Sequence, residues 1–600
     1  MTPTTAVVAT TTSRSERMRA SLLLTSAALC WVALGVPAAC SNKRQADRTS
    51  AAPALADLPE PSTIVAELAL AHPGAAFRAL RELGSPTSGL LPAGFPVFTA
   101  TALGLPPLSA DSFDAEIPVV GALAQTAQGE LGWVVAVHAV SGPELVAKLS
   151  TGDHPPFRAL PGDPRGLISL QPAADGGALA PKLALAVFDN YLVAASEGDL
   201  LASVGPYVAR MLPRRPPRSA ALTVHIAQRA LAASVIPALR ALWASYRTTL
   251  ARQEQTARAE HGGRAADFGD PAQVILGLDA AVESVLSVIG GASAVELAAD
   301  PFPNRLELTL LLTPAPGSPA QQLISSLVGG DAKSLLTLPV ETRFAFGSSR
   351  SPAERDDAGK AAGDDWVRLL GSRLSERDAR TLRGVLADWE LGRGARTTYG
   401  FLADSAPGAF IVTDVAEPTR LKRAGHGVFK LLGLAGLRAP LAEFLGEPHV
   451  SESVQAHTEF ANDVQLAKIT FSPSSAATPH TQPSSPLSCA WFVTDEVGYA
   501  ASGKDANSAL QKLVLAARGR SRSLASTAGV AEGVQRAGNQ AALFAYFDAQ
   551  LGPKAAPAED ARQAPLFLSA GKRENIGFLR IEISKPAVDL ALGQLAFGGR

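Results

Sequence analysis

Cysteine is almost missing from this chain: 600 residues carry three. Cys30 and Cys40 lie near the N-terminus, which leaves Cys489 alone in the body, and one thiol closes no internal disulfide. Stability therefore has to come from packed cores. Cys489 sits in the apolar strand pattern Leu487-Ser-Cys-Ala-Trp-Phe-Val493, where it reads as a small buried hydrophobe. Aromatic residues make up only 6% and the net charge is −1, so neither base-stacking platforms nor a basic field is available, which excludes nucleic acid as a partner. The nine histidines are scattered without HExxH or zinc-spaced Cys/His pairs. No GxSxG elbow is present either.

Near-misses to chemical motifs are few. Gly498-Tyr-Ala-Ala-Ser-Gly-Lys-Asp505 almost spells a phosphate-binding loop, but Asp505 stands where a magnesium-binding hydroxyl is needed and would repel phosphate. Glu447, His449, Glu452, His457 and Glu459 form the densest His/carboxylate group and read as a solvated hairpin. Asp111, Asp114 and Glu116 follow a Pro-Pro turn without calcium-loop spacing and read as a solvated turn. His138 and His225 lie inside apolar strand patterns and read as strand residues rather than bases. The expectation is a protein with no catalytic centre, no cofactor and no metal.

What the chain does have begins at its N-terminus. Arg14, Arg17 and Arg19 precede the uncharged stretch Ala20–Asn42, in which Pro37-Ala-Ala precedes Cys40. A basic start, an apolar run and small residues before a cysteine form the pattern of a bacterial export signal. Met18-Arg19 would make a shorter basic start of the usual kind. The segment Pro37–Cys40 resembles the lipobox of bacterial lipoproteins, which implies lipidation at Cys40, a membrane partner reached through that anchor, and a place in the cell envelope. Pro37 stands where that family prefers Leu, so cleavage without lipid and retention of the leader are the alternatives. Ser41 after the cysteine resembles lipoproteins sent to an outer membrane.

Beyond a linker at 40–62, the chain reads as written twice. Leu183–Phe188, Asp189-Asn190 and Tyr191–Ser196 form a hairpin pattern. Ser488–Val493, Thr494-Asp-Glu and Val497–Ser502 repeat it, and Ala-Ala-Ser-x-x-Asp occurs at 194–199 and again at 500–505. Ser196 and Ser502, each three residues before an Asp, are expected to cap the next helix. Further strand patterns correspond at Ile64–Leu70 and Glu341–Phe346, Gly132–Val140 and Ala409–Val415, and Ala220–Ile226 and Ala541–Phe547.

The predicted fold class is α+β. It comprises two related lobes from an internal duplication, 63–330 and 331–600, with mostly antiparallel sheets covered by helices. The first copy alone carries a helical hairpin insertion at 227–290. There Leu239, Leu242 and Tyr246, then Val282, Val285 and Ile289, recur at helical spacing and are expected to pack on the sheet, with a kink at Pro237. Residues 472–486, and less strongly 350–362 and 553–564, read as loops, and Pro155–Pro164 as a turn region. The layout resembles the large, uncharacterised bacterial envelope lipoproteins built of repeated strand-helix units, which implies binding or scaffolding at the envelope. Carriage of lipid or another apolar ligand, an envelope protein partner, and a hydrolase assembled from distant loops are the alternatives.

Overall fold

The computed structural model describes residues 58–590 except 85–91, 152–154, 161–165, 174–182, 217–219, 261–270, 371–373, 404–407, 433, 435–449, 462–463, 474–486 and 549–563. The leader, Cys40 and most of the loops at 472–486 and 553–564 lie outside the described residues. Two compact units form. The first holds the described residues up to His225 together with Leu297–Glu307; the second holds Ile226–Glu296 and the described residues from Leu308 onward.

The first unit opens with β1 (Ile64–Leu70), α1 (Pro73–Leu83), α2 (Phe95–Ala102) and a 3-10 turn at Pro107–Ser112. A hairpin of β2 (Val119–Gln125) and β3 (Leu131–His138) leads to α3 (Gly142–Ser150), where Ser141 Oγ accepts from the Glu144 N–H at 3.3 Å. A meander follows, β4 (Phe157–Ala159), β5 (Leu167–Pro172), β6 (Ala184–Phe188) and β7 (Tyr191–Ala195), then α4 (Gly198–Arg210) and β8 (Leu222–Ala227). The β6–β7 turn is two residues long, with Phe188 paired to Tyr191 and Asp189 at φ 49°, a left-handed backbone that a tight hairpin demands. Every pairing is antiparallel, and the order across the sheet is β8–β1–β2–β3–β7–β6–β5–β4. Strand alternation sends Val134, Ala136, Val193 and Ala195 to one face, where Leu200, Val204, Tyr207 and Val208 of α4 cover them. On the other face α3 approaches so closely that a Cβ on Gly142 would lie 1.9 Å from the Asp189 carbonyl oxygen, hence the glycine.

The second unit begins with a π turn at Leu231–Val235, α5 (Ile236–Glu260) and α6 (Pro271–Gly290); β9 (Ala292–Phe302) and β10 (Arg305–Pro314) belong to it up to Glu296 and from Leu308, and α7 (Pro319–Ser326) follows. After a 3-10 turn at Ala332–Thr337 come β11 (Thr342–Ser349), α8 (Pro352–Leu370), α9 (Glu376–Gly392), β12 (Arg393–Leu402), β13 (Gly408–Val415) and α10 (Pro418–Leu432). The meander β14 (Val450–Ala461), β15 (Val464–Pro473), β16 (Leu487–Val493) and β17 (Val497–Gly503) then leads to α11 (Ala506–Ala517). A 3-10 turn at Leu524–Ser526, α12 (Val530–Ala537), β18 (Ala541–Asp548), β19 (Pro565–Arg573) and β20 (Ile576–Ser584) close the unit. Its antiparallel order is β20–β19–β18–β11–β12–β13–β17–β16–β15–β14.

From β18 to β14 this is the strand order of the first unit, element for element. The register agrees as well. Starting from Ala195 and Ala501, the ladders of the first unit step to Val134, Ala122, Glu67 and His225. Those of the second step to Phe410, Gly400, Ala345 and Tyr546. Counting onward from the same anchor, Leu200, Val204 and Tyr207 of α4 fall opposite Ala506, Leu510 and Leu513 of α11, and both sets line the core of their unit.

Five expectations need correction. Ser196 does not cap α4: its hydroxyl accepts from the Trp133 N–H at 3.1 Å, and the N-cap is Glu197 without a side-chain bond. On the second side the cap is Asp505, not Ser502. Residues 352–362 belong to α8, because Ser351 and Glu354 form a reciprocal capping box, Ser351 Oγ accepting from the Glu354 N–H at 3.2 Å and Glu354 Oε2 from the Ser351 N–H at 2.9 Å. Pro155–Pro164 contains β4.

The remaining two corrections concern the helical insertion. It groups with the second unit rather than the first, since Leu231, Ala292, Val295, Leu312, Ala320 and Ile324 share a small core there. The π turn lies just ahead of Pro237, whose ring nitrogen cannot donate back along the helix, and the Ile236 N–H reaches Leu231 instead. Beyond that root the apolar stripe does not pack on a sheet: Leu242, Tyr246 and Val285 are 60%, 51% and 58% exposed. α5 and α6 meet through polar groups, Arg240 Nη2 to Glu283 at 2.9 Å and both Trp243 Nε1 and Arg247 Nη1 to Asp279 at 2.7 and 2.9 Å.

Candidate functional site

Among the described residues a buried polar cluster on β1 and α4 borders a cavity. Glu67 is the single carboxylate of the apolar strand β1, and alternation turns it toward the α4 face, where its side chain is 10% exposed. Tyr207, on α4, donates its hydroxyl to Glu67 Oε1 at 2.9 Å, while Arg215 Nη1 pairs with Glu67 Oε2 and Arg215 Nη2 donates to the Tyr207 oxygen at 2.7 Å. A carboxylate taken out of water is tolerated when both oxygens are matched, and here they are. Burial, then the bond to Glu67, pushes the Tyr207 phenol well above the usual tyrosine value, so it remains a neutral donor.

Beside this triad lies a cavity of about 150 Å³. Its floor is the paired stretch of β1 and β8, with Glu67 opposite His225 and Ala69 opposite Thr223. Its walls are Val120 of β2 and Leu212 and Arg215 from the segment after α4. Glu67 hides in sequence because its partners lie 140 and 148 positions away. The available signal was a lone acid in a strand that is otherwise apolar.

The other described groups singled out by the sequence stand as follows. His138 Nδ1 stands 3.8 Å from Asp114 and makes no hydrogen bond, too far for the base-orienting contact of a triad. Burial lowers the His138 pKa, partly opposed by the Asp114 charge. Asp114 Oδ1 accepts from the Glu116 N–H at 2.8 Å, a turn contact, and Asp111 is exposed. Lys148 Nζ donates to the buried Ser112 Oγ at 3.0 Å, tying α3 to the 3-10 turn. Gly498–Gly503 is strand β17, paired on both sides, and Asp505 accepts from the Ser508 N–H at 3.0 Å as the N-cap of α11. His449 and Glu447 lie outside the described residues, and His457 is in β14. Cys489 is largely buried, and burial pushes its thiol up to about 11.

A second buried polar cluster joins α8, α9 and β12. Arg393 Nε donates to Glu390 Oε2 at 2.9 Å and its Nη1 to Thr397 at 3.1 Å, while Arg355 donates to the Arg393 carbonyl. All three charged residues are buried, so this is an internal tie rather than a binding surface.

Among the described residues no group of three or more His, Cys, Asp or Glu could hold a metal ion, and no helix is long and apolar enough to cross a membrane. Comparison with known proteins finds no family model, no curated protein and no solved structure that matches this chain.

Proposed function

We propose that this chain is exported, anchored to the cell envelope by lipid at Cys40, and serves there as a non-catalytic binding or scaffolding protein. The observation that carries the reading is the uncharged stretch Ala20–Asn42, preceded by Arg14, Arg17 and Arg19 and containing Pro37-Ala-Ala-Cys40. The body comprises two antiparallel α+β units. The shared strand order and core positions support descent of the two units from one duplicated ancestor, which suits a scaffold. Lipid carriage draws no support from the cavity over β1 and β8, whose volume of about 150 Å³ lies below the ~300 Å³ at which pockets for drug-sized ligands begin.

The test is metabolic labelling of the full chain with an alkyne fatty acid in a bacterial host. The expected result is a labelled, membrane-associated product whose label disappears in Cys40→Ser. An unlabelled product, whether secreted after cleavage or held by an intact leader, would overturn the lipid anchor. Leader-intact protein dissolved in the cytoplasm would overturn export itself.

A further inference from the structure

We propose that the cavity over β1 and β8 is a binding site for a small organic anion with an apolar body. The argument begins with size. A volume of about 150 Å³ equals the share of roughly five waters in the liquid, enough for a compact ring or a short branched chain and too little for a lipid tail. The walls set the second requirement. Val120, Leu212 and Ala69 present carbon, so water inside would gain few hydrogen bonds and an apolar body would displace it favourably.

Charge sets the third. Both Glu67 oxygens are already taken, one by Tyr207 and one by Arg215, so the carboxylate has little left to offer a cationic ligand. Arg215 is the opposite case. Its side chain is 43% exposed, and a guanidinium carries five N–H groups, of which two are committed to Glu67 and Tyr207. The residue lines the cavity, and a carboxylate is the group that this fork geometry fits best. Thr223, whose side chain shares the floor, adds a hydroxyl that can donate to the same anion. Glu67 and Tyr207 then act as positioning residues: they hold the guanidinium in place without touching the ligand.

The second unit shows how this space is closed when no ligand is needed. The ladder positions of Ala69 and Thr223 are taken there by Gly347 and Phe544, and the Phe544 ring lies so close that a Cβ on Gly347 would stand 1.9 Å from it. Transplanting that pair supplies a filling variant, Thr223→Phe with Ala69→Gly.

Benzoate, benzamide and benzamidine share one shape and differ in charge. Titrated against the purified full chain in detergent by calorimetry and ligand-observed NMR, benzoate is expected to bind saturably, at least tenfold tighter than benzamide or benzamidine. Arg215→Gln should weaken benzoate at least tenfold, and the filling variant should abolish binding with its melting transition retained. If the filling variant fails to fold, Thr223→Val, which removes the hydroxyl at constant shape, is expected to weaken benzoate several-fold. No saturable benzoate binding, equal binding of benzamidine, or benzoate binding unmoved by Arg215→Gln would each overturn the proposal. None of these readouts depends on Cys40, so the anchor and the pocket fail separately.

Discussion

At ladder-equivalent positions the two units solve the same packing problem with opposite materials. Over β1 and β8 the first unit places Glu67, Ala69, Thr223 and His225; over β11 and β18 the second places Ala345, Gly347, Phe544 and Tyr546. The covering helix changes in step, Tyr207 of α4 meeting Glu67 where Leu513 of α11 lies in an apolar core with Ala345. One set borders a cavity of about 150 Å³ beside a charged triad; in the other the Phe544 ring fills the place over Gly347. The cover differs too, since the 3-10 turn Ala332–Thr337 and α12 close the second core, whereas Met211 and Leu212 follow α4 in the first. A backbone arrangement thus fixes where a space lies, and side chains decide whether it is a core or a pocket.

The sharpest way to break this contrast is to cut the filler away. Phe544→Ala removes a buried ring from a close-packed site and is expected to cost about 3–5 kcal/mol. Thr223→Ala, at the equivalent position, trims the edge of an existing cavity and should stay within about 1 kcal/mol. Because the two positions lie in different compact units, the check is hydrogen exchange under urea on peptides from β18 and from β8. Equal losses at both positions would mean that the first pocket is packed in solution.

How much of this was legible in sequence depends on the range of the interaction. The hairpin strings Leu183–Ser196 and Ser488–Ser502 announced β6–β7 and β16–β17, because alternation and a two- or three-residue turn are local signals. The capping box at Ser351 and Glu354 was equally local, but the polar composition around it suggested a loop. The helical period of Leu239, Leu242 and Tyr246 marked α5 correctly and still misjudged burial, since a period names a face without naming what covers it. Ser196 failed as a cap because a long-range acceptor role toward Trp133, 63 positions away, won its hydroxyl. The triad was beyond reach altogether: nothing near Glu67 in the chain names Tyr207 or Arg215 as its partners.

A smaller effect separates two buried tyrosines. Tyr207→Phe removes a hydrogen bond to a carboxylate and should cost about 1.5–3 kcal/mol. Tyr546→Phe removes a hydroxyl that is buried without a partner, and should be neutral or stabilising by up to about 1 kcal/mol. Both phenols are held above the ordinary value of 10.0, chiefly by burial, helped by the Glu67 bond for Tyr207 and by the Asp548 charge for Tyr546. A raised folded-state pKa means that the stabilisation is complete below pH 10.0 and is lost as pH rises beyond it, because the unfolded chain ionises first. Unfolding midpoints followed from neutral to strongly alkaline pH should therefore fall above 10.0 in the parent, and less steeply in each Phe variant. Identical alkaline profiles for parent and Tyr207→Phe would show that the phenol is not held by Glu67.

The smallest expected difference lies at the starts of α4 and α11, which follow the same Ala-Ala-Ser string yet begin differently. Asp505 accepts from the Ser508 N–H while Ser488 Oγ accepts from the Ala506 N–H at 2.8 Å, so Asp505→Ala removes one of two side-chain caps of α11 and should cost about 1 kcal/mol. Glu197 occupies the cap of α4 without a side-chain bond, and Glu197→Ala should change stability by no more than a few tenths of a kcal/mol. Exchange rates of the first-turn amides of each helix read this directly: Asp505→Ala should expose those of α11 while Glu197→Ala leaves those of α4 unchanged. A matching loss in α4 would place a capping role on Glu197, and the two helix starts would then be alike after all.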